Sequence, residues 1–282
     1  MKKLLVTVSG ATGTQGGALA RTLLRRGHRV RAMTRTPARA EPLRQLGAEV
    51  VTADFDEPAS LDAAVSGADA VFVMSTPFEA DLDAEVRQGR ALVDAAARAR
   101  VPHTVFSSAT NADRDTGIPH FDSKYRIERH LAEVTEDWTV LAPAAFMDNF
   151  LTGHSLKSLQ RNVFAFPMRA WTPLQLIPAS DIAEFAALTM ERREQFLGKR
   201  VDIASDECTG DQIAGALSGV TGRPIQFERV PIEVVRGFST DLAAMFEYFD
   251  SVGMDVDIPA LRAAYPEVGW HTFTNWAASA LP

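Results

Sequence analysis

Leu4-Leu5-Val6-Thr7-Val8 is a short, nearly continuous apolar run that stops shortly before a glycine, the pattern of a strand buried on both faces. Downstream the period lengthens. Leu19, Leu23 and Leu24 recur at helical spacing among Arg21, Arg25 and Arg26, and Gly27 supplies the stop. The alternation then repeats, predicting strands over 28–34, 49–53, 70–74, 104–107 and 138–141 and helices over 60–65, about 79–98 and 122–133. In the long helix Leu82, Val86, Gly89, Val93 and Ala96 form one stripe, and in the next Ile127 and Leu131 face inward. Strands and helices in strict alternation imply a parallel sheet.

Beyond residue 150 the rhythm breaks into shorter elements rich in aromatics and prolines, with strands predicted over 162–167, 174–177 and 225–230. A helix starting at Asp181 carries Ile182, Phe185, Ala186, Thr189 and Met190 on one face and returns to cover the sheet. Thr209 and Gln212 form a capping box ahead of Ile213, Ala216, Leu217 and Val220, with Gly222 closing that helix. Further helices are predicted over 241–249 and 273–280, the last burying Trp276.

The decisive local feature is Gly10-Ala11-Thr12-Gly13-Thr14-Gln15-Gly16-Gly17, set between the first strand and the first helix. In that context Gly10 permits the tight turn, Gly13 lets backbone approach a pyrophosphate, and Gly16 lets helix pack on strand. The helix start then offers free N–H groups and a positive dipole end to phosphates. Thr12, Thr14 and Gln15 belong to the same phosphate-facing turn. The fold expectation is therefore α/β, a Rossmann-type doubly wound parallel sheet over residues 1–150 completed by 178–200, with a smaller C-terminal α+β substrate lobe from 151–177 and 201–282.

The second strand distinguishes between nicotinamide cofactors. An NAD site places a carboxylate near the adenosine ribose, but residues 28–40 hold no acidic side chain and instead carry Arg31, Arg35 and Arg39. A guanidinium matches a phosphate monoester, so Arg35 is expected to clamp the 2′-phosphate of NADP(H), with Arg39 as a looser second contact. Ligands of doubly wound sheets lie beyond the carboxyl ends of the strands, which singles out Asp54, Phe55, Ser75, Thr76, Pro77, Ser107, Pro143 and Phe146. Asp54 and Phe55 have two readings: an adenine contact, or a capped turn of the form Asp-Phe-Asp-Glu-Pro.

Composition removes several alternatives. The 282 residues carry a formal net charge of -7 and no basic stripe outside the arginine segment, which argues against nucleic acid as a partner. With Cys208 as the one cysteine, neither an internal disulfide nor a thiolate cluster can form, as fits a reducing cytoplasm. The histidines at 28, 103, 120, 130, 154 and 271 show no metal-ligand spacing, so no metal is expected. No G-x-S-x-G elbow, membrane-length apolar stretch or signal-length core is present either.

The start LLVTVSGATGTQGG, the turn Thr34-Arg35-Thr36-Pro37, the segment Pro119-His120-Phe121-Asp122-Ser123-Lys124 and the later Pro143-Ala144-Ala145-Phe146-Met147-Asp148-Asn149-Phe150 resemble the NmrA-like group of atypical short-chain dehydrogenases/reductases. The resemblance spans residues 1 to about 200 and, more loosely, the rest. It implies either an NADPH-dependent reductase of quinones or phenylpropanoid ethers, or a protein that binds the dinucleotide without turnover and reports redox state to a protein partner. It also implies that Lys124 holds the nicotinamide ribose. Short-chain dehydrogenases pair that lysine with a tyrosine four residues earlier; here the position is His120, and Tyr125 lies on another helical face.

His120 can donate a proton near neutral pH, Ser107 can polarise an acceptor, and Lys124 can act as acid or base; alternatively His120 buttresses a helix start and Lys124 only binds ribose. The leading expectation is an NADPH-dependent reductase of a small apolar electrophile, a quinone, enone or imine, bound in an inter-lobe cleft. Phe146, Phe150, Trp171, Phe238, Phe249 and Trp270 are candidates to line that cleft or to be ordinary core. The alternative is a noncatalytic NADP(H) redox sensor with a protein partner.

Overall fold

The computed structural model describes residues 2–76 and 81–281, and the chain divides into two compact units. The first takes residues 1–113, 120–142 and 182–201. Its elements run β1 (Leu5–Val8), α1 (Thr14–Arg25), β2 (Arg29–Thr34), α2 (Glu41–Gln45), β3 (Glu49–Thr52), α3 (Pro58–Val65), β4 (Ala70–Met74), α4 (Leu82–Arg98), β5 (Thr104–Ser107), α5 (Pro119–Val134) and β6 (Trp138–Pro143). The strands lie in the order β3-β2-β1-β4-β5-β6, and a seventh, Lys199–Ile203, extends the sheet past β6. The β1 pairings with β2 and β4 are parallel, as are β2 with β3, β4 with β5 and β5 with β6. This is the doubly wound α/β arrangement, and the strand order reverses on either side of β1, where such sheets open a ligand crevice.

Local sequence explains the packing. Val6 and Val8 in β1 and Phe72 in β4 are fully buried, as suits strands covered on both faces. One core layer gathers Leu61 and Val65 of α3, Leu92 and Val93 of α4, and Ile127 and Leu131 of α5 against Val71, Val73, Phe106 and Val140. Gly89 permits the approach of α4 to α5: a Cβ there would lie 2.5 Å from Ile127 Cδ1. Elsewhere in this unit α1 is tied to the helix Ala179–Glu191. Arg26 Nε donates to Glu184 Oε2 at 3.0 Å, and His28 Nε2 meets Glu191 Oε1 at the same distance.

Several boundaries shift from the sequence reading. The long helix begins at Leu82, capped by Asp81, whose carboxylate accepts from Ala84 N at 2.7 Å. The residue proposed as its start, Glu79, lies outside the described residues, as does Pro77. Its buried stripe includes Glu85, while Leu82 is half-buried. The strand Lys199–Ile203 has no counterpart in the hydrophobic pattern, because three of its five side chains are charged, as edge strands use to discourage further pairing.

The second unit comprises residues 114–119, 143–181 and 202–282. It holds a three-stranded sheet of Asp206–Cys208, Leu174–Ile177 and Ala145–Phe146, and a parallel pair of Val163–Phe166 with Gln226–Arg229. Phe150 is its aromatic centre, packed edge-on to Phe164, Phe166 and Phe273 at centroid distances of 5.3, 5.6 and 5.8 Å. The capping box of Thr209 and Gln212 is formed, and Gly222 closes that helix at φ 65°. The helix predicted to start at Asp181 starts at Ala179, whose N–H donates to Asp148 Oδ2 at 2.8 Å. Asp181 instead lies in its first turn, fully buried, accepting from Ser205 Oγ and from His271 N. Among the described residues no helix is long and apolar enough to cross a membrane.

Candidate functional site

The glycine turn is built as its spacing requires. Gly10 has φ +60°, and Gly13 N donates back to Gly10 O at 2.9 Å. Gly16 is the tightest position: a Cβ there would stand 2.4 Å from Gly10 O and 2.6 Å from Ser9 O, both backbone atoms that cannot rotate away. Gly13 is the N-cap of α1, and with no side chain it places no capping oxygen on the first-turn N–H groups. A helix start left in this state is suited to an anion.

A cleft opens over this turn. Its walls include Gly10, Thr12 and Gly13 from the turn, Arg35 and Arg39 after β2, Asp54 and Phe55 after β3, and Ser75 and Thr76 after β4. Residues drawn from the ends of β1 to β4 thus converge, as the sheet topology dictates. Met33, Met74 and Gln88 also line the cleft and were not among the residues picked out by sequence. Arg35 and Arg39 are both exposed, and the Arg31 guanidinium donates to the carbonyls of Ala64 and Ser66 at 2.8 Å each. The capped turn is formed, Asp54 Oδ1 accepting from Asp56 N at 3.0 Å, and Asp54 and Phe55 line the cleft.

Thr14 and Gln15 lie in the first turn of α1. Gln15 is buried, and its Nε2 donates to Ser107 Oγ at 2.6 Å. Ser107, at the end of β5, is therefore an acceptor in that bond and retains its own proton for donation. The neighbouring Ser108 donates to Glu128, which also accepts from Arg200 Nε at 3.0 Å. Burial pushes the Glu128 carboxyl above the usual range, partly offset by Arg200.

Lys124 and His120 share the first turns of α5. Lys124 Nζ donates to Glu85 Oε1 at 2.9 Å and to the carbonyl of Ser75 at 3.2 Å. Glu85, 1% exposed, also accepts from Ser75 Oγ at 3.0 Å and from Ser123 Oγ. His120 is buried edge-on to Phe121 at 4.8 Å, and its carbonyl lies 3.0 Å from Ser123 Oγ, sharing that hydroxyl with Glu85. Tyr125, on a different helical face from Lys124, is exposed. Pro143 ends β6 and Phe146 is half-buried beside it, both within the second unit.

Of the aromatics considered for a substrate cleft, Phe150, Phe249 and Trp270 are buried within the second unit, whereas Trp171 and Phe238 are each 69% exposed. Glu85, the acceptor for Lys124, was also missed by sequence reasoning. The available signal was its place in the stripe Glu85, Gly89, Leu92 and Ala96, a carboxylate at helical spacing among apolar and small residues.

A doubly wound sheet with a glycine turn at its switch point defines a dinucleotide-binding α/β protein. More narrowly, the chain belongs to the NmrA-like family, which matches residues 2–277. It is 29% identical over 241 residues to the NAD(P)H azoreductase of Xenophilus azovorans, covering 84% of this chain and 81% of that protein. Among solved structures it is similar to the Citrobacter sp. triphenylmethane reductase complexed with NADP(H), with a TM-score of 0.82, 22% identity, and coverage of 98% of this chain and 100% of that one. It is also similar to NmrA, a negative transcriptional regulator, in complex with NADP, with a TM-score of 0.80, 20% identity, and coverage of 100% and 96%.

Proposed function

We propose that this protein is an NADPH-dependent reductase of a small apolar electrophile with a polarised double bond, such as a quinone, enone or imine. The observation that carries the reading is the convergence, on one cleft, of an uncapped glycine turn, two arginines and Ser75, whose carbonyl is held by Lys124. The azoreductase and triphenylmethane reductase relatives support a reductive chemistry.

The residues suit the cofactor: Gly16 leaves no room for a side chain at the turn, and Arg35 and Arg39 line the same cleft, which supports a dinucleotide carrying an extra phosphate. When bound, NADPH supplies the hydride. The first-turn N–H groups of α1, with Thr12, Thr14 and Gln15 beside them, hold the diphosphate, and Asp54 and Phe55 hold the adenine side. Thr76 serves the nicotinamide half. Lys124 orients the ribose through its ammonium. Ser107 offers its hydroxyl proton to the acceptor atom, with His120 as the second candidate proton donor. A polarised acceptor makes modest demands on the proton donor, so positioning carries most of the work without a tyrosine.

Arg35→Ala is expected to weaken NADPH binding about 10- to 100-fold while changing NADH binding less than 3-fold, because one charge-assisted contact to the extra phosphate contributes about 1.5–3 kcal/mol. Calorimetry with both nucleotides measures this, and equal losses would retire the 2′-phosphate assignment. Turnover is tested by following NADPH absorbance with a panel of quinones, enones and imines. Lys124→Ala is expected to lower kcat/KM for whichever acceptor is reduced by about 10- to 50-fold, corresponding to roughly 1.4–2.3 kcal/mol of lost stabilisation. A second reading, a noncatalytic sensor of NADP(H) redox state recognised by a protein partner, draws on His120 in the tyrosine position and on the similarity to the regulator NmrA. It gains if no acceptor is reduced while NADPH and NADP+ bind with clearly different affinities.

A further inference from the structure

We infer that Glu85 is a positioning residue for Lys124: its buried carboxylate fixes the lysine ammonium against the carbonyl of Ser75 and so sets how strongly the nicotinamide half of the cofactor is held. The inference rests on the proposed role of Lys124 and adds to it a residue with no part in the glycine turn or the arginine clamp.

Three elements meet at this carboxylate. Ser75 follows β4, Glu85 lies in the first turn of α4, and Ser123 and Lys124 lie in α5. Glu85 Oε1 accepts from Ser75 Oγ at 3.0 Å and Lys124 Nζ at 2.9 Å, while Oε2 accepts from Ser123 Oγ. The Glu85 side chain has 0% of its surface exposed and that of Lys124 13%, so water does not screen the pair as it would at the surface. A buried carboxylate that makes only structural contacts needs only enough donors to satisfy its oxygens. This one is arranged asymmetrically: the two serines hold the acid, and the acid together with the Ser75 carbonyl occupies two of the three ammonium protons. The third N–H direction is thereby fixed by the other two. A lysine on a flexible four-carbon stem otherwise loses rotamer freedom when it meets a ligand, and pre-orienting it moves that loss into folding.

The test separates the two halves of the cofactor. Calorimetric titrations with NADPH and with 2′,5′-ADP, which lacks the nicotinamide mononucleotide, are made on wild type, Glu85→Gln, Lys124→Ala and the double variant. Glu85→Gln is expected to weaken NADPH by about 10-fold and 2′,5′-ADP by less than 2-fold, and the double variant to bind NADPH no more weakly than Lys124→Ala alone. Ser123→Ala keeps the ion pair and loosens only the acid, so a smaller loss of about 3-fold, again confined to NADPH, is expected. It also serves if Glu85→Gln does not fold by circular dichroism. Equal weakening of both ligands, or additive losses in the double variant, would reduce Glu85 to a fold-stabilising acid and overturn the inference. NADPH binding that is unchanged by Glu85→Gln and Ser123→Ala but lost in Lys124→Ala overturns the inference alone. Indifference of Lys124→Ala overturns the lysine assignment and this inference with it, and wild type that binds neither ligand overturns the cofactor reading itself.

Discussion

Gly16→Ala is expected to reduce NADPH binding at least 100-fold and to lower thermal stability, although it adds a single methyl group. The added carbon would lie 2.4 Å from Gly10 O and 2.6 Å from both Gly10 C and Ser9 O. Overpacking normally costs about 1–3 kcal/mol when neighbouring side chains can shift, but here every clashing atom belongs to the backbone of the turn. Either α1 withdraws from β1 or the turn opens, and each displaces the N–H groups facing the cleft. The same exchange at Gly215 meets nothing within 4 Å in the exposed middle of its helix, so Gly215→Ala should stabilise by about 0.5–1 kcal/mol. Paired melting curves and NADPH titrations distinguish the two, and a Gly16→Ala protein binding within 3-fold of wild type would falsify the proposed turn geometry.

Gly16 also illustrates what a sequence reveals well. A strand, a glycine turn and a helix are local, so their periodicities fix both the element and its chemistry, and β4 and β5 coincide with their predicted spans to the residue. Most of the cleft followed from topology alone, because residues after successive parallel strands must share one edge of the sheet. The information lost was of two kinds. Charged elements such as Lys199–Ile203 carry no hydrophobic period, and their pairing is decided by the strand beside them. Contacts between distant segments were equally hidden: Glu85 and Lys124 are far apart in sequence, and nothing local says that an acid near the start of one helix will meet a lysine in the next. The capping aspartate for the helix beginning at Ala179 comes from residue 148 for the same reason.

His103 extends that point to stability. Just before β5, it appears in the sequence as one of six scattered histidines, yet it is 1% exposed. Thr139 Oγ1 donates to the carbonyl of Phe196 at 2.8 Å, so it accepts from His103 Nε2, also at 2.8 Å, and this fixes the neutral tautomer with its proton on Nε2. Among the described residues His103 Nδ1 has no hydrogen-bond partner, so a second proton would be placed on a buried nitrogen facing no acceptor. Burial first, and then the charge of Arg193, pull the imidazole down to about 4, with Asp137 opposing weakly. Above pH 6.5 the ring is neutral in both folded and unfolded chains and the shift has no effect. Between pH 6.5 and 4 the unfolded chain binds a proton that the folded chain refuses, so stability falls as pH falls, and below 4 the penalty is fully present. The drop from 6.5 to about 4 corresponds to roughly 3.4 kcal/mol. Glu128 and Asp148, whose carboxyls burial pushes up, contribute with the opposite sign in acid, so the quantity to measure is a difference. Urea unfolding of wild type and His103→Gln at pH 4 to 7.5 should give curves whose separation shifts by about 3 kcal/mol in favour of the variant toward pH 4, and parallel curves would mean that His103 titrates normally in the folded chain.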